Sequence, residues 1–227
     1  MIAVLFIGFL VSTAIFVVAL TARYLSGRIA LRVLAGLTLW FLYVGLIAYS
    51  GVARNAETRP PGVAFIVVPV LVFIVVFAFN VQSHTEESPL PIWIIMGIQS
   101  FRIGVELFLH QLWIDGLVPK MLTFEGANVD ILIGATAPVA AWLSTRGRIG
   151  AKFAFGWNAL GLLALINVVT RAVLTTPGPL NLIHTEIPNL MMGTFPFLFV
   201  PAFFVPLAVA LHVLAIQGII NRLRATG

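Results

Sequence analysis

Charged side chains are scarce in this sequence. Asp, Glu, Lys and Arg make up only 9% of its 227 residues, whereas 60% of the residues are hydrophobic. A soluble domain carries about 25% charged residues. The charge present is too small to cover a water-facing surface, which excludes a soluble globular protein and predicts an integral membrane protein.

Cysteine is absent altogether. Its absence excludes disulfides, thiolate-bound metals, attachment of a c-type haem and a cysteine nucleophile. The P-loop, nucleophile-elbow and HExxH signatures are missing as well. The net charge of +5 does not indicate nucleic-acid binding, because the basic residues lie in short loops beside apolar segments.

What the sequence does contain is a series of long apolar segments. A bilayer core about 30 Å thick is crossed by a helix of about 20 residues. We therefore expect a single all-α membrane domain, residues 1–227, with seven transmembrane helices; because the third and fifth spans are the shortest, six helices are the alternative. No basic region precedes the first apolar segment, so we expect it to be retained as a helix. The seven predicted spans are residues 2–22, 30–52, 62–80, 91–114, 128–145, 153–173 and 192–219.

The basic residues of the loops are distributed unequally between the two sides of these spans. Loops rich in Lys and Arg face the cytoplasm. The distribution predicts an external amino end, a cytoplasmic carboxyl end and residence in a cytoplasmic (inner) membrane. The predicted inner side holds Arg23, Arg28, Arg32, Arg146, Arg148, Lys152, Arg222 and Arg224; the outer side holds Arg54, Arg59 and Lys120.

Seven helices with an external amino end are also the topology of microbial rhodopsins. Retinal needs a lysine in the last helix to form its Schiff base. The two lysines of this chain, Lys120 and Lys152, both lie in predicted loops. We therefore exclude retinal as a covalent cofactor.

The fourth span carries an unusual stripe of ionisable residues. At 100° per residue, Gln99, Arg102, Glu106 and His110 fall on one side of a helix. A charge at the bilayer centre costs at least about 2.5–3.5 kcal/mol. The stripe must therefore face the helix bundle or a wet cavity, with its charges paired there.

Partners for this stripe are present in the outer halves of neighbouring spans. Arg102 and Glu106 can pair at four-residue spacing, and Arg171 can pair with Asp130 or Glu125. We expect convergence on one polar site that binds an ion or small solute or relays protons; a purely structural network that fixes helix register remains the alternative. The predicted site residues are Arg102, Glu106, His110, Asp130, Asn167 and Arg171.

No cofactor is predicted, although metal and haem are left open. Glu106 and His110 at i and i+4 could ligate one metal from a single helix face. His184 and Glu186, in a predicted outward loop, could complete such a site. His212 lies toward the inner end of the span predicted at 192–219, where we expect it to serve helix packing. Asn158 is expected to hydrogen-bond to a neighbouring helix.

The last span contains prolines at 196, 201 and 206. Each removes a backbone donor and favours a kink. Free carbonyls at membrane depth are tolerated only beside protein or a wet cavity. The prolines therefore favour a translocation path or ligand cavity beside this span.

Three classes of function remain open. The first is a permease or channel for an ion, proton or small polar solute. The second is a membrane enzyme with an outward-facing site that uses Glu106 or His110 as acid or base and Arg102 or Arg171 to hold an anion. The third is an accessory or sensory subunit with a structural stripe. The expected partners are the lipid bilayer and a small solute, with a homo-oligomer or a larger membrane complex left open.

Overall fold

The computed structural model describes residues 1–83 and 90–225, and these residues form a helical bundle. No β-strand occurs within these two ranges. The helices are α1 (Ile2–Tyr24), α2 (Gly27–Tyr49), α3 (Ala64–Ser83), α4 (Ile92–Ile98), α5 (Phe101–Ile114), α6 (Asp130–Ser144), α7 (Gly147–Leu174) and α8 (Val205–Ala225).

Most of the bundle is built from helices suited to a bilayer. Six are long and apolar enough to cross a membrane, counting α4 with α5 and taking the last from Val200. The helix α6 is apolar but has only 15 residues. The chain is thus an all-helical, multi-pass membrane protein, and six of the seven predicted spans have a full-length counterpart among the described residues.

The predicted fourth span is not a single helix. It is divided at Gln99 and Ser100, where the backbone amides bond to carbonyls three residues back instead of four. The Ser100 hydroxyl also donates to the Gly97 carbonyl at 2.9 Å. This local tightening places a change of helix geometry directly before Arg102.

The last span also departs from the predicted range 192–219. Its continuous helical part begins with one π-helical turn, Val200–Phe204, and continues as α8. Pro201 lies in the π turn and Pro206 follows it. The expected distortion of this span by proline is therefore confirmed, and it lies at the start of the helix.

Two aromatic donors on α2 bond to carbonyls that prolines leave free. A proline at position i cannot bond to the carbonyl at i−4. Pro206 frees the Ala202 carbonyl, which accepts from the Trp40 indole at 2.9 Å. Pro69 frees the Phe65 carbonyl, which accepts from the Tyr43 hydroxyl at 2.8 Å. These bonds tie α2 to α3 and to the start of the last span.

The long connections 50–63, 115–129 and 175–199 meet at one end of the bundle, the loop end. Arg54 Nε donates to the Gly193 carbonyl at 2.8 Å, and the Leu190 amide bonds to the Leu117 carbonyl. At the opposite, basic end, Arg222 reaches the Ser144 carbonyl. One apolar core, around Phe6, Leu109 and Phe204, lies toward the loop end. A second, alanine-rich core toward the basic end allows α4, α6, α7 and α8 to pack closely.

Candidate functional site

A buried ion pair joins the start of α5 to the start of α6. Arg102 is 1% exposed, and its Nε donates to Asp130 Oδ2 at 2.7 Å. Its Nη2 makes a second bond to Asp130 Oδ1, so the guanidinium holds the carboxylate with two parallel donors. The Asp130 backbone amide donates to Asn128 Oδ1 at 3.0 Å, so an Asx turn directly precedes α6.

The same guanidinium also reaches the last helix. Arg102 Nη1 lies 2.8 Å from His212 Nε2, and His212 Nδ1 lies 2.8 Å from Asn158 Oδ1. Because a guanidinium can only donate, Nε2 must accept and the imidazole proton must sit on Nδ1. Asn158 then uses its own amide to donate to the Ala154 carbonyl. The contacts from α5 through α8 to α7 therefore require a neutral His212 with one defined tautomer.

Room for the His212 ring is provided by a glycine of α7. A Cβ placed on Gly161 would collide with three atoms of the imidazole. The glycine therefore allows the ring to lie directly against the α7 backbone, at the depth where His212 meets Arg102.

Glu106 is buried one turn beyond Arg102 and is paired differently. It is 1% exposed, and its Oε1 accepts from Asn128 Nδ2 at 2.6 Å. Its Oε2 has no hydrogen-bond partner among the residues described. Within those residues, the carboxyl also has no cation within ion-pair distance. We refer to Arg102, Glu106, Asn128, Asp130, Asn158 and His212 together as the buried network.

A small cavity borders the buried network. Its volume is about 100 Å³, and Arg102, Glu106 and Asp130 contribute to its otherwise apolar wall. Pro201 and Phe204 of the π turn line it as well. A cavity of this size has room for a few water molecules or a small cation, and Arg102, Glu106 and Asp130 are the ionisable residues in its wall. Glu106, whose Oε2 has no partner among the described residues, thus lines a cavity next to irregular backbone.

A second polar cluster lies at the loop end. His110 Nδ1 is 3.7 Å from Glu125 Oε1, and Lys120 Nζ is 3.5 Å from Glu125 Oε2. The His110 ring stacks on Phe124 at 4.8 Å. All these partners of His110 belong to the connection between α5 and α6. That connection also supplies Asn128 to Glu106, so it contacts two of the three ionisable residues of the stripe.

Asn167 and Arg171 hold the same connection from α7. Asn167 Nδ2 donates to the Ala127 carbonyl at 3.1 Å, and Arg171 Nε donates to Asn167 Oδ1 at 2.8 Å. Two pairings expected from the sequence are therefore replaced by others. Arg102 pairs with Asp130 rather than Glu106, and Arg171 pairs with Asn167 rather than Asp130 or Glu125. In the structure Asp130 lies beside Arg102 instead, and Glu125 lies beside Lys120.

The four candidate metal ligands are placed differently from one another. Glu106 is buried and His110 is partly exposed, while His184 and Glu186 are exposed on the connection after α7. Within residues 1–83 and 90–225, no three His, Asp or Glu side chains come together as a metal-binding group.

Sequence reasoning missed the roles of His212 and Asn128. His212 was placed near the end of a span counted from residue 192. The helical part instead runs from Val200 to Ala225, which puts His212 at its middle and level with Arg102. Asn128 precedes Asp130 by two residues, the spacing at which an Asn side chain closes an Asx turn on the backbone, and this pattern is visible in the sequence. The expected bond of Asn158 to a neighbouring helix is confirmed by its contact with His212.

Residues 60–220 match the family described as Domain of unknown function (DUF8737). The chain belongs to this family. The DUF8737 region includes the whole buried network and its cavity wall, whereas α1 and α2 precede it. No curated protein and no solved structure matches the chain.

Proposed function

We propose that this protein is a permease or channel for a proton or a small cation, with Glu106 as the group that takes up the cargo. The observation that supports the proposal is the Glu106 carboxyl, buried with one oxygen unpartnered among the described residues and bordering a cavity. A network that serves only to fix helix register would be expected to satisfy its own buried acceptors, because each one left open costs about 1–3 kcal/mol.

The division of charge within the buried network favours this role for Glu106. Arg102 and Asp130 neutralise each other through two bonds, and His212 accepts from the guanidinium without adding charge. Among the described residues, Glu106 bonds only to the neutral Asn128 amide. The binding of a proton or a cation at Glu106 would complete its charge balance, and release would restore the open acceptor.

The six predicted site residues take different parts in this proposal. Arg102 and Asp130 form a fixed pair beside the cavity. His110, with Glu125, offers an exchange group between Glu106 and the loop end, one helical turn of about 5.4 Å beyond it. Asn167 and Arg171 hold the connection that carries Asn128. The π turn and the break before Arg102 supply irregular backbone beside the cavity, where such backbone is tolerated at membrane depth.

The proposal includes the topology expected from the loops. It has seven spans in an inner membrane, with α6 as a short span beside the cavity. The amino end is external and the carboxyl end is cytoplasmic. The loop end then faces outward and the basic end faces the cytoplasm.

The test is flux through the purified protein reconstituted in liposomes that contain a pH-sensitive dye. Under an imposed potassium diffusion potential, the parent is expected to move protons, or sodium in a parallel assay with a sodium dye. Glu106→Gln keeps the shape and the Asn128 contact but removes the charge. It is expected to reduce flux at least tenfold while the melting temperature stays close to that of the parent.

Glu57→Gln is the matched control, because Glu57 is an exposed carboxylate on a loop far along the chain from the network. It should keep the parental flux. If the parent carries no flux above empty liposomes, the transport function is wrong. If the parent carries flux and Glu106→Gln carries as much, Glu106 is not the group that takes up the cargo.

A further inference from the structure

A groove on the side of the bundle lies apart from the buried network. Its volume is about 770 Å³, and its walls are formed by α1, α4 and α6 together with the first residue of α5. Specific small-molecule sites commonly enclose about 300–1,000 Å³. The groove runs from Phe9 and Phe101 to Trp93, Trp142 and Thr145, and therefore from the middle of the bundle to its basic end.

The walls of the groove are apolar along almost all of its length. Because α1 and the combined α4 and α5 are long and apolar enough to cross a membrane, and α6 is also apolar, we expect the groove to open sideways toward lipid tails rather than toward water. Gly97 lies on its floor, where a Cβ would meet only Ala141 Cβ at 3.8 Å. The missing side chain is therefore part of what makes the groove deep.

The end of the groove carries positive charge. The Arg146 guanidinium carbon lies 4.1 Å from the centre of the Trp142 ring, and Trp142 forms part of the groove wall. Arg146 is exposed, directly after Thr145, and Arg148 follows in the first turn of α7. Tryptophan and arginine at this position are typical of the boundary between lipid tails and headgroups.

We propose that this groove is a binding site for one anionic phospholipid, whose acyl chain lies along α1, α4 and α6 and whose phosphate contacts Arg146. An apolar channel of membrane depth fits a tail, and a cation at its mouth fits the charge of the headgroup. A juxtamembrane basic residue near an anionic lipid surface contributes about 1 kcal/mol, a factor of about five in affinity.

The experiment uses the full chain in nanodiscs of equal parts phosphatidylglycerol and phosphatidylcholine. After transfer to mild detergent, native mass spectrometry measures the lipids that stay bound. The parent is expected to retain phosphatidylglycerol in preference to phosphatidylcholine. Arg146→Gln is expected to lower that preference about fivefold. Gly97→Leu fills the groove and is expected to lower retention of both lipids.

Arg148→Gln is the matched control, since it removes the same charge two residues further on, in the first turn of α7, without touching the Trp142 ring contact. It should lower the preference clearly less than Arg146→Gln, and an equal fall in both variants would indicate general attraction to anionic lipid rather than binding at the groove. Arg146 is exposed, so Arg146→Gln provides a folded variant even if Gly97→Leu fails to assemble. Equal retention of the two lipids by the parent would overturn the proposal. So would an unchanged preference in Arg146→Gln, or a dimer that carries no lipid.

Discussion

At the scale of single residues, the pairing of Arg102 with Asp130 decides how a buried charge is tolerated. The guanidinium has three bonded nitrogens, two to the carboxylate and one to His212. A buried ion pair adds little net stability over an apolar pair of the same volume, but loss of one partner leaves an uncompensated charge. The network is therefore sensitive to single changes and tolerant of paired ones.

This asymmetry predicts the behaviour of Asp130→Ala. The variant should lose about 3–5 kcal/mol of stability because Arg102 is left buried without its counter-charge. The double variant Arg102→Met with Asp130→Ala should recover most of that loss. Denaturation in detergent, followed by tryptophan fluorescence, measures both. Glu125→Ala, which removes a carboxylate from an exposed pair, should change stability by less than about 1 kcal/mol. Additive losses in the double variant would contradict the pairing.

At the scale of helices, close approach between α7 and α8 depends on one glycine. Gly161→Ala is expected to destabilise the protein because the new Cβ would collide with the His212 ring and displace it from Arg102. Gly156→Ala in the same helix is the control, since nothing lies within 4 Å of its added Cβ. It should be neutral or stabilise by up to about 1 kcal/mol. Thermal melting compares the two variants. Equal changes in melting temperature would refute this close contact.

Also at the scale of helices, α2 donates hydrogen bonds to the carbonyls that Pro69 and Pro206 leave free. Tyr43→Phe removes only the hydroxyl that bonds to the Phe65 carbonyl, so we expect a loss of about 1 kcal/mol. Tyr49→Phe removes the same atom from a residue that is 92% exposed at the end of α2 and should have no effect. Melting temperatures in detergent compare the two, and an unchanged value for Tyr43→Phe would mean that the freed carbonyl is satisfied without α2.

Apolar length was sufficient to predict the all-helical fold and six helices long enough to cross a membrane, because a bilayer imposes that length. It was not sufficient for the local geometry that aligns the site. The tightened turn at Gln99 and Ser100 contains no proline. It involves the Ser100 hydroxyl bond to the Gly97 carbonyl, which the sequence pattern does not predict. The late start of the last helix moved His212 from its predicted end to the centre. Arg102 pairs with Asp130 rather than Glu106 because of how the connection before α6 folds. Helical periodicity does not predict the fold of that connection.

At the scale of the whole molecule, the absence of cysteine makes the proposed topology directly testable. Single cysteines at Ser26, Glu57, Thr145 and Leu180 can be labelled with a membrane-impermeant maleimide in intact cells. With seven spans and an external amino end, Glu57→Cys and Leu180→Cys should react from outside. Ser26→Cys and Thr145→Cys should react only after the membrane is opened. Reaction of Thr145→Cys together with Glu57→Cys would show that α6 does not cross.

The order in which the network is synthesised has a consequence for biogenesis. Asp130 follows Arg102 by 28 residues and His212 follows it by 110. At about 5–20 residues per second, the ribosome reaches His212 roughly 5–20 seconds after Arg102 has been made. During that interval a charged helix must wait beside the translocon with its guanidinium incompletely bonded. Chains truncated before His212 should therefore be degraded faster than full-length chains in a pulse-chase measurement, and Arg102→Met in the truncated chain should extend its lifetime.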